Sequence, residues 1–184
     1  VKIIIVGCSH AGLIASKETL KFHPETDVTI YERTTNIAFE AGGIPLYLSN
    51  EVDHLEQMVA SMPDELEALG AHVKLNHDVL KIDQKTKTMV VEDLTTHEQF
   101  EDSYDKLVFT PGSRATLPPV KGIDSFRVQV CKTVAQAELI KRYAQNNHHI
   151  AIVGGGYSGV EIAEAFAHTD HQVTLIQDGA QLLK

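Results

Sequence analysis

The sequence is poor in cysteine, in long apolar runs and in positive charge. Its two cysteines, Cys8 and Cys131, stand far apart in 184 residues and form neither a ligand cluster nor a disulfide framework. That pattern excludes a disulfide-stapled secreted scaffold and fits a reducing cytoplasm. No apolar run reaches the roughly 18 residues of a membrane-spanning helix, so no membrane partner is expected. No basic leader pattern opens the sequence at Val1, so no secretory signal is expected either. Sixteen Lys and Arg face 25 Asp and Glu, a net charge of −9. Nucleic-acid affinity rests largely on Lys and Arg against phosphates, and this balance argues against such a partner. The histidines, His148 and His149 included, lack partners at metal-ligand spacing. They read as surface residues, and no metal site is expected. Low-complexity segments and short-period repeats are also absent.

What is there centres on glycine. Ile150 to Val153 is an apolar run that reads as a buried strand, and Gly154, Gly156 and Gly159 follow it at G-x-G-x-x-G spacing. Val160, Ala163, Phe166 and Ala167 then repeat at helical spacing. In a dinucleotide-binding turn the first glycine permits the tight bend. The second lets backbone approach a pyrophosphate, and the third lets helix and strand pack closely. The helix N-terminus offers free N–H groups and partial positive charge to the phosphates. A glycine-rich structural turn is the competing reading. The chain opens on a related unit: strand Lys2 to Val6, turn Gly7-Cys8-Ser9-His10-Ala11-Gly12, helix Leu13 to Phe22, strand Val28 to Tyr31. Ser9 stands at the middle-glycine position. Glu32 ends the second strand, where a carboxylate accepts hydrogen bonds from a ribose diol; a solvated strand-end charge is its plainer reading.

Between these units, Asn36 to Leu48 carries Ala41-Gly42-Gly43-Ile44-Pro45, read as a close-packed loop and helix start. Val52 to Val59 has helical spacing. Pro63 opens a helix that Gly70 ends. Val73 to Leu75 reads as a short strand. From Asp78 to Tyr104 apolar residues punctuate polar ones, with turns near residues 84–87 and 95–98, which predicts an inserted antiparallel meander with solvated charged faces. Asp105 to Phe109 returns as a strand before Thr110-Pro111-Gly112-Ser113. Leu117-Pro118-Pro119-Val120-Lys121-Gly122 reads as a linker. Thr133 to Tyr143 is a helix, and Val173 to Ile176 a strand.

Taken together, Gly7 to Gly12, Tyr31-Glu32-Arg33, Phe39 to Leu48, Tyr104 to Ser113 and Gly154 to Glu161 resemble the FAD-dependent pyridine nucleotide–disulfide oxidoreductases. The likeness is to the NADH oxidase, NADH peroxidase and coenzyme A-disulfide reductase branch, and it spans essentially the whole chain. The resemblance implies an α/β fold. A Rossmann-like FAD-binding domain with the meander inserted (1–116) would precede an incomplete second Rossmann-like NAD(P) domain (117–184). It implies that Gly7, Ser9, His10, Ala11 and Gly12 line the FAD pyrophosphate, with Glu32 on the adenosine ribose and Arg33 beside it. Val79 would touch the adenine, Thr110, Pro111 and Gly112 would close over the cofactor, and Lys132 would also reach it. Gly154, Gly156, Tyr157, Ser158 and Gly159 would hold NADH or NADPH, with Glu161 near the nicotinamide amide and Gln177 at the ribose end.

The departures from the family carry as much information. The family's redox cysteine follows a Phe-x-x-Cys-Gly pattern, and Phe39-Glu40-Ala41-Gly42-Gly43 puts Gly42 in its place. Cycles through thiolate, sulfenate or mixed disulfide need that sulfur. Cys8 lies in the phosphate turn and Cys131 outside the pattern, and both read as structural. His10 matches the family's catalytic histidine, and a polar group at a helix start is its equal alternative. Gln177 replaces the acid expected for NADH, which leaves NADH and NADPH both open. The length predicts a truncated part of a larger, homo-oligomeric protein. The expected function is hydride transfer from NAD(P)H to FAD and on to oxygen or another small acceptor. The alternatives are a non-catalytic FAD- or adenine-nucleotide-binding fragment and an inactive structural remnant.

Overall fold

The computed structural model describes residues 1–183. In chain order they form β1 (Lys2–Val6), α1 (His10–Phe22), β2 (Asp27–Tyr31), a 3-10 turn (Ala41–Gly43), α2 (Ile44–Leu48) and a second 3-10 turn (Leu55–Met58). Then come α3 (Pro63–Ala68), β3 (Ala71–Lys74), β4 (His77–Asp83), β5 (Thr88–Asp93), β6 (Gln99–Ser103) and β7 (Lys106–Phe109). The last elements are α4 (Val134–Ala144), β8 (His149–Val153), α5 (Tyr157–Ala167) and β9 (Gln172–Ile176). Packing divides them into two units: Val1–Phe39 with Val59–Ser113, and Glu40–Met58 with the chain from Arg114 on. The sequence predicts a single cut after residue 116; the packing also carries residues 40–58 into the second unit.

In the first unit a parallel sheet runs β3-β2-β1-β7. Parallel strands need crossovers that cover the sheet faces, so inner strands read as continuous apolar runs. The β1 sequence Lys-Ile-Ile-Ile-Val obeys this, with Ile4 and Ile5 fully buried. α1 lays Leu13, Ser16 and Leu20 inward. The chain builds outward from β1 through β2 to β3, then returns to place β7 on the other side of β1. That reversal creates a switch point between the C-terminal ends of β1 and β7, where open α/β sheets bind ligands.

The meander folds as expected, with β4-β5-β6 antiparallel. Met89 and Val91 of β5 are buried in a cluster with Ile4, Val6, Tyr31 and Tyr104. Its charges are not all solvated. Asp102 pairs with Lys2 and accepts the Tyr31 hydroxyl at 2.8 Å, tying the meander to β1 and β2. Burial opposes ionisation of Asp102. Its bonds from Lys2, the Tyr31 hydroxyl and the Ser103 N–H outweigh that and hold its carboxyl below the usual range.

The second unit contains the parallel pair β8–β9 joined through α5. α4 closes its N-terminus with a capping box: Thr133 accepts from the Gln136 N–H while Gln136 accepts from the Thr133 N–H. α2 packs against α4 and α5. Lys141 of α4 donates to the Tyr47 carbonyl at 2.7 Å and lies 3.8 Å from that ring's centroid, which anchors α2.

Three expectations need correction. α1 starts at His10 rather than Leu13, because the glycine turn is complete at Ser9, whose extended backbone caps the helix. Val52 to Val59 forms only a 3-10 turn, because Glu40 and Met58 bond backbone to backbone at 2.8 Å and Val59 bridges to Phe39, drawing the chain straight. His77 and His171 are only partly exposed. The His77 ring forms a three-ring cluster with Tyr31 and Phe100, and His171 packs edge-on to Phe166.

The Asp102 anchor gives a signed pH prediction. A carboxyl held low in the fold stabilises fully above its unfolded pKa of about 3.9, and that contribution fades as pH falls through the folded value. Asp102→Asn should cost about 1 kcal/mol at pH 7. The gap between the two proteins in denaturant unfolding should narrow as pH falls through the lowered folded value of Asp102.

Candidate functional site

Two glycine turns, one per unit, repeat the same construction. In the first, Gly7 takes φ +86°, and a Cβ there would lie 2.3 Å from the Thr110 carbonyl oxygen. A Cβ on Gly12 would lie 2.0 Å from the Gly7 oxygen. Only bare backbone lets α1 approach β1 this closely. Gly7 donates its N–H to the Tyr31 carbonyl at 2.8 Å, and Cys8 donates its own to Glu32 Oε2 at 2.7 Å. The second turn copies this. Gly154 takes φ +111°, and a Cβ on Gly159 would lie 1.9 Å from the Gly154 oxygen. Gly154 donates to the Ile176 carbonyl at 2.9 Å and Gly155 to Gln177 Oε1 at 2.8 Å.

The helices leaving these turns differ from α4. The N-cap residues of α1 and α5, Ser9 and Gly156, make no side-chain cap bond. A helix end without a side-chain cap leaves donors and dipole for another acceptor, and an anion satisfies both. Ser9, His10 and Ala11 are exposed around the first such end, with His10 Nδ1 3.3 Å from Ser9 Oγ. Gly156, Tyr157 and Ser158 are exposed around the second, Tyr157 by 73 %.

The other expected residues of the first unit fall around its switch point or beside it. Thr110 spends its hydroxyl on the carbonyls of Val6 and Gly7, at 3.0 and 2.9 Å, so it locks the turn from the β7 side. Pro111 and Gly112 continue from it, exposed. Glu32 Oε1 accepts from the Thr34 N–H at 2.9 Å and its hydroxyl at 2.8 Å. Sequence reasoning missed Thr34; a hydroxyl residue two positions after a strand-end acid was the available signal. Arg33 Nε lies 3.4 Å from Asp78 Oδ2, and Val79 pairs with Val91 in the meander.

In the second unit a cavity of about 160 Å³ is lined by Ala41, Gly42, Cys131, Lys132, Ser158 and Glu161, among others. It brings together the missing-cysteine position, Ser158 of the second turn and Glu161, expected near the nicotinamide. A Cβ on Gly42 would meet nothing within 4 Å. Neither remaining cysteine makes good the loss as a thiolate. Burial, and next the Glu32 charge, push the Cys8 thiol up to about 12. Burial pushes Cys131 up to about 11. Sulfur nucleophiles act as thiolates, so both are inert near neutrality. Among the described residues no group of His, Cys, Asp or Glu is placed to hold a metal, and no helix is long and apolar enough to cross a membrane.

Two strand–turn–helix–strand units, each closing a methyl-excluding glycine bend beneath an uncapped helix end, define a dinucleotide-binding α/β protein. The chain belongs to the pyridine nucleotide-disulphide oxidoreductase family, whose pattern it matches over residues 1–184. It is 43 % identical over 175 residues to an NADH oxidase of Enterococcus faecalis, covering 95 % of this chain and 39 % of that protein. Among solved structures, it is similar to the water-forming NADH oxidase of Lactobacillus brevis bound to NADH, at 47 % identity and a TM-score of 0.96. That match covers 99 % of this chain and 40 % of the other. An engineered water-forming NADPH oxidase bound to NADPH matches at 46 % identity and a TM-score of 0.97, covering all of this chain and 41 % of that one. The chain thus spans about two fifths of the length of these relatives.

The steric claim at the first bend is testable by contrast. Gly7→Ala combines a left-handed φ with a backbone clash and should cost about 3 kcal/mol or more. Gly70→Ala shares a positive φ, +100°, but has open space around it, and should cost only about 1 kcal/mol. Denaturant midpoints of the two variants check the difference.

Proposed function

We propose that this chain is the nucleotide-binding part of an FAD-dependent NAD(P)H oxidoreductase of NADH-oxidase type that reduces oxygen, or another small acceptor, without a redox cysteine. The observation that carries this reading is the duplicated glycine bend with its uncapped helix end. Each bend is a cradle a Cβ would fill, and a diphosphate fits its exposed amides. In this reading the first unit takes FAD. Ser9, His10, Ala11 and Gly12 face its diphosphate, Gly7 shapes the bend, and Glu32, with Arg33 near, receives the ribose. Val79 flanks the adenine, Thr110 to Gly112 cover the cofactor, and Lys132 reaches it. The second unit takes NADH or NADPH through Gly154, Gly156, Tyr157, Ser158, Gly159 and Gln177, with Glu161 toward the nicotinamide. FAD, when bound, supplies hydride acceptance from the nicotinamide and electron delivery to the acceptor.

The chain's own residues then bind, orient and exclude water. They provide no sulfur relay, because position 42 has no side chain and the thiols of Cys8 and Cys131 stay protonated. His10, without a sulfur partner at position 42, acts as a polar neighbour of the first diphosphate. Hydrogen peroxide is the expected product with oxygen. A cytoplasmic, homo-oligomeric whole protein belongs to the same proposal. The glycine at position 42, where the family has its redox cysteine, favours a second reading, a chain that binds FAD or an adenine nucleotide without turnover.

A visible absorption spectrum of the purified protein separates these readings from failure: a flavin band is expected, and its absence after reconstitution with FAD rejects both. Oxidation of NADH with about one peroxide formed per NADH supports the enzyme; bound flavin without turnover supports the binding fragment. Gly42→Cys places a thiol in open space. In a turning-over protein it should lower the peroxide recovered per NADH and add one thiol that alkylates at neutral pH.

A further inference from the structure

Position 42 has no sulfur, but a thioether rests against the next residue. Met58 ends the second 3-10 turn and folds back on the loop that carries Gly42. Its carbonyl accepts from the Glu40 N–H at 2.8 Å, which clips the start of that loop. Its side chain covers the end of the loop: a Cβ on Gly43 would fall onto Sδ, 3.0 Å from Cγ and 3.1 Å from Cε. Between these contacts the turn Ala41–Gly43 is held by two short-range bonds, from the Gly43 N–H to the Glu40 carbonyl at 2.9 Å and from the Ile44 N–H to Ala41. No residue of the turn is itself buried, so Met58 supplies cover that the turn's own residues do not.

The three methionines differ in access. Met62 is 57 % exposed and Met89 1 %, and Met58 is half-buried. A thioether needs no ionisation to react with a peroxide, unlike the thiols of Cys8 and Cys131. We propose that Met58 is a site of reversible oxidation by hydrogen peroxide, and that its sulfoxide releases the loop at position 42. A sulfur lone pair attacks one peroxide oxygen and the O–O bond breaks. Sulfur keeps that oxygen and is oxidised by two electrons; the other oxygen leaves with both protons as water. The product is bulkier and polar. The side facing Gly43 has no space for the added oxygen, so the flexible side chain turns away and uncovers the turn. Ala41 and Gly42 line the 160 Å³ cavity, so the release alters its wall. The site stands apart from the proposed function. Its supply of oxidant during turnover rests on that reading, in which peroxide is the product and damps the reaction that makes it.

The test adds hydrogen peroxide to the purified protein and needs no turnover. Met62→Leu removes the exposed thioether, and Leu keeps the volume of Met. In this variant, peptide mass spectrometry should find one added oxygen on Met58 and none on Met89. Hydrogen exchange at the Glu40 and Gly43 amides should then rise about tenfold, and methionine sulfoxide reductase should reverse the rise. With Met58→Leu added, exchange should be the same before and after peroxide. Met58 left unoxidised by peroxide that fully oxidises Met62 in the unmodified protein overturns the inference. So does an oxidised Met58 with unchanged exchange at Glu40 and Gly43. In a protein that turns over, NADH in air should oxidise Met58 and catalase should prevent it; a Met58 untouched there overturns the feedback. A protein that never turns over is judged by added peroxide alone, so failure of the proposed function is read separately.

Discussion

Backbone pressed on backbone is the constraint from which the rest follows. At Gly12 and Gly159 the first turn of a helix lies so close to the preceding bend that a methyl group would fall within 2.0 Å of a carbonyl oxygen. Gly7 adds a third strand to the contact, with Thr110 locking β7 against the same bend. These approaches aim helix N-termini across the ends of the strands. Ser9 and Gly156 make no side-chain cap bond there, in contrast with the capping box of α4.

The same bends explain where the charge goes. Each spends its first amide on a strand carbonyl and its second on the side chain that ends the following strand. The first two amides of each bend are thus spent inside the protein. Glu32 and Gln177 occupy equivalent places with opposite hydrogen-bonding capacity at their second atom. A duplicated scaffold thus carries two different recognition surfaces, and the difference costs the fold nothing because the structural bond survives in both.

Position 42 shows function lost without strain. Nothing surrounds Gly42 closely enough to require a glycine, so packing does not account for it. The cavity it lines retains Lys132, Ser158 and Glu161. The thiols that remain are buried and held protonated. Neither Cys8 nor Cys131 stands in for a thiolate at position 42.

Periodicity and glycine spacing were enough to read the strands β1, β2, β7, β8 and β9, the helices after the bends and the meander, because apolar strands and amphipathic crossovers leave local patterns. The burial expected of residues 150–153 is corrected: β8 keeps only Ile152 buried and leaves Val153 75 % exposed. The family, and the replacement of its cysteine by Gly42, were equally legible, since they depend on residue identity at fixed spacing. Other features depended on distant parts of the chain. Asp102 looked like a solvated charge until Lys2 and Tyr31 met it, and His77 looked exposed until it packed beside Tyr31 and Phe100. Residues 52–59 carried a helical pattern that the bridge between Phe39 and Val59 cut to a single turn. By itself the sequence determined which residues could bend, bury or ionise. Only the tertiary structure decided that Gln177 must present its nitrogen, because that choice is made by a hydrogen bond from Gly155, twenty-two positions away.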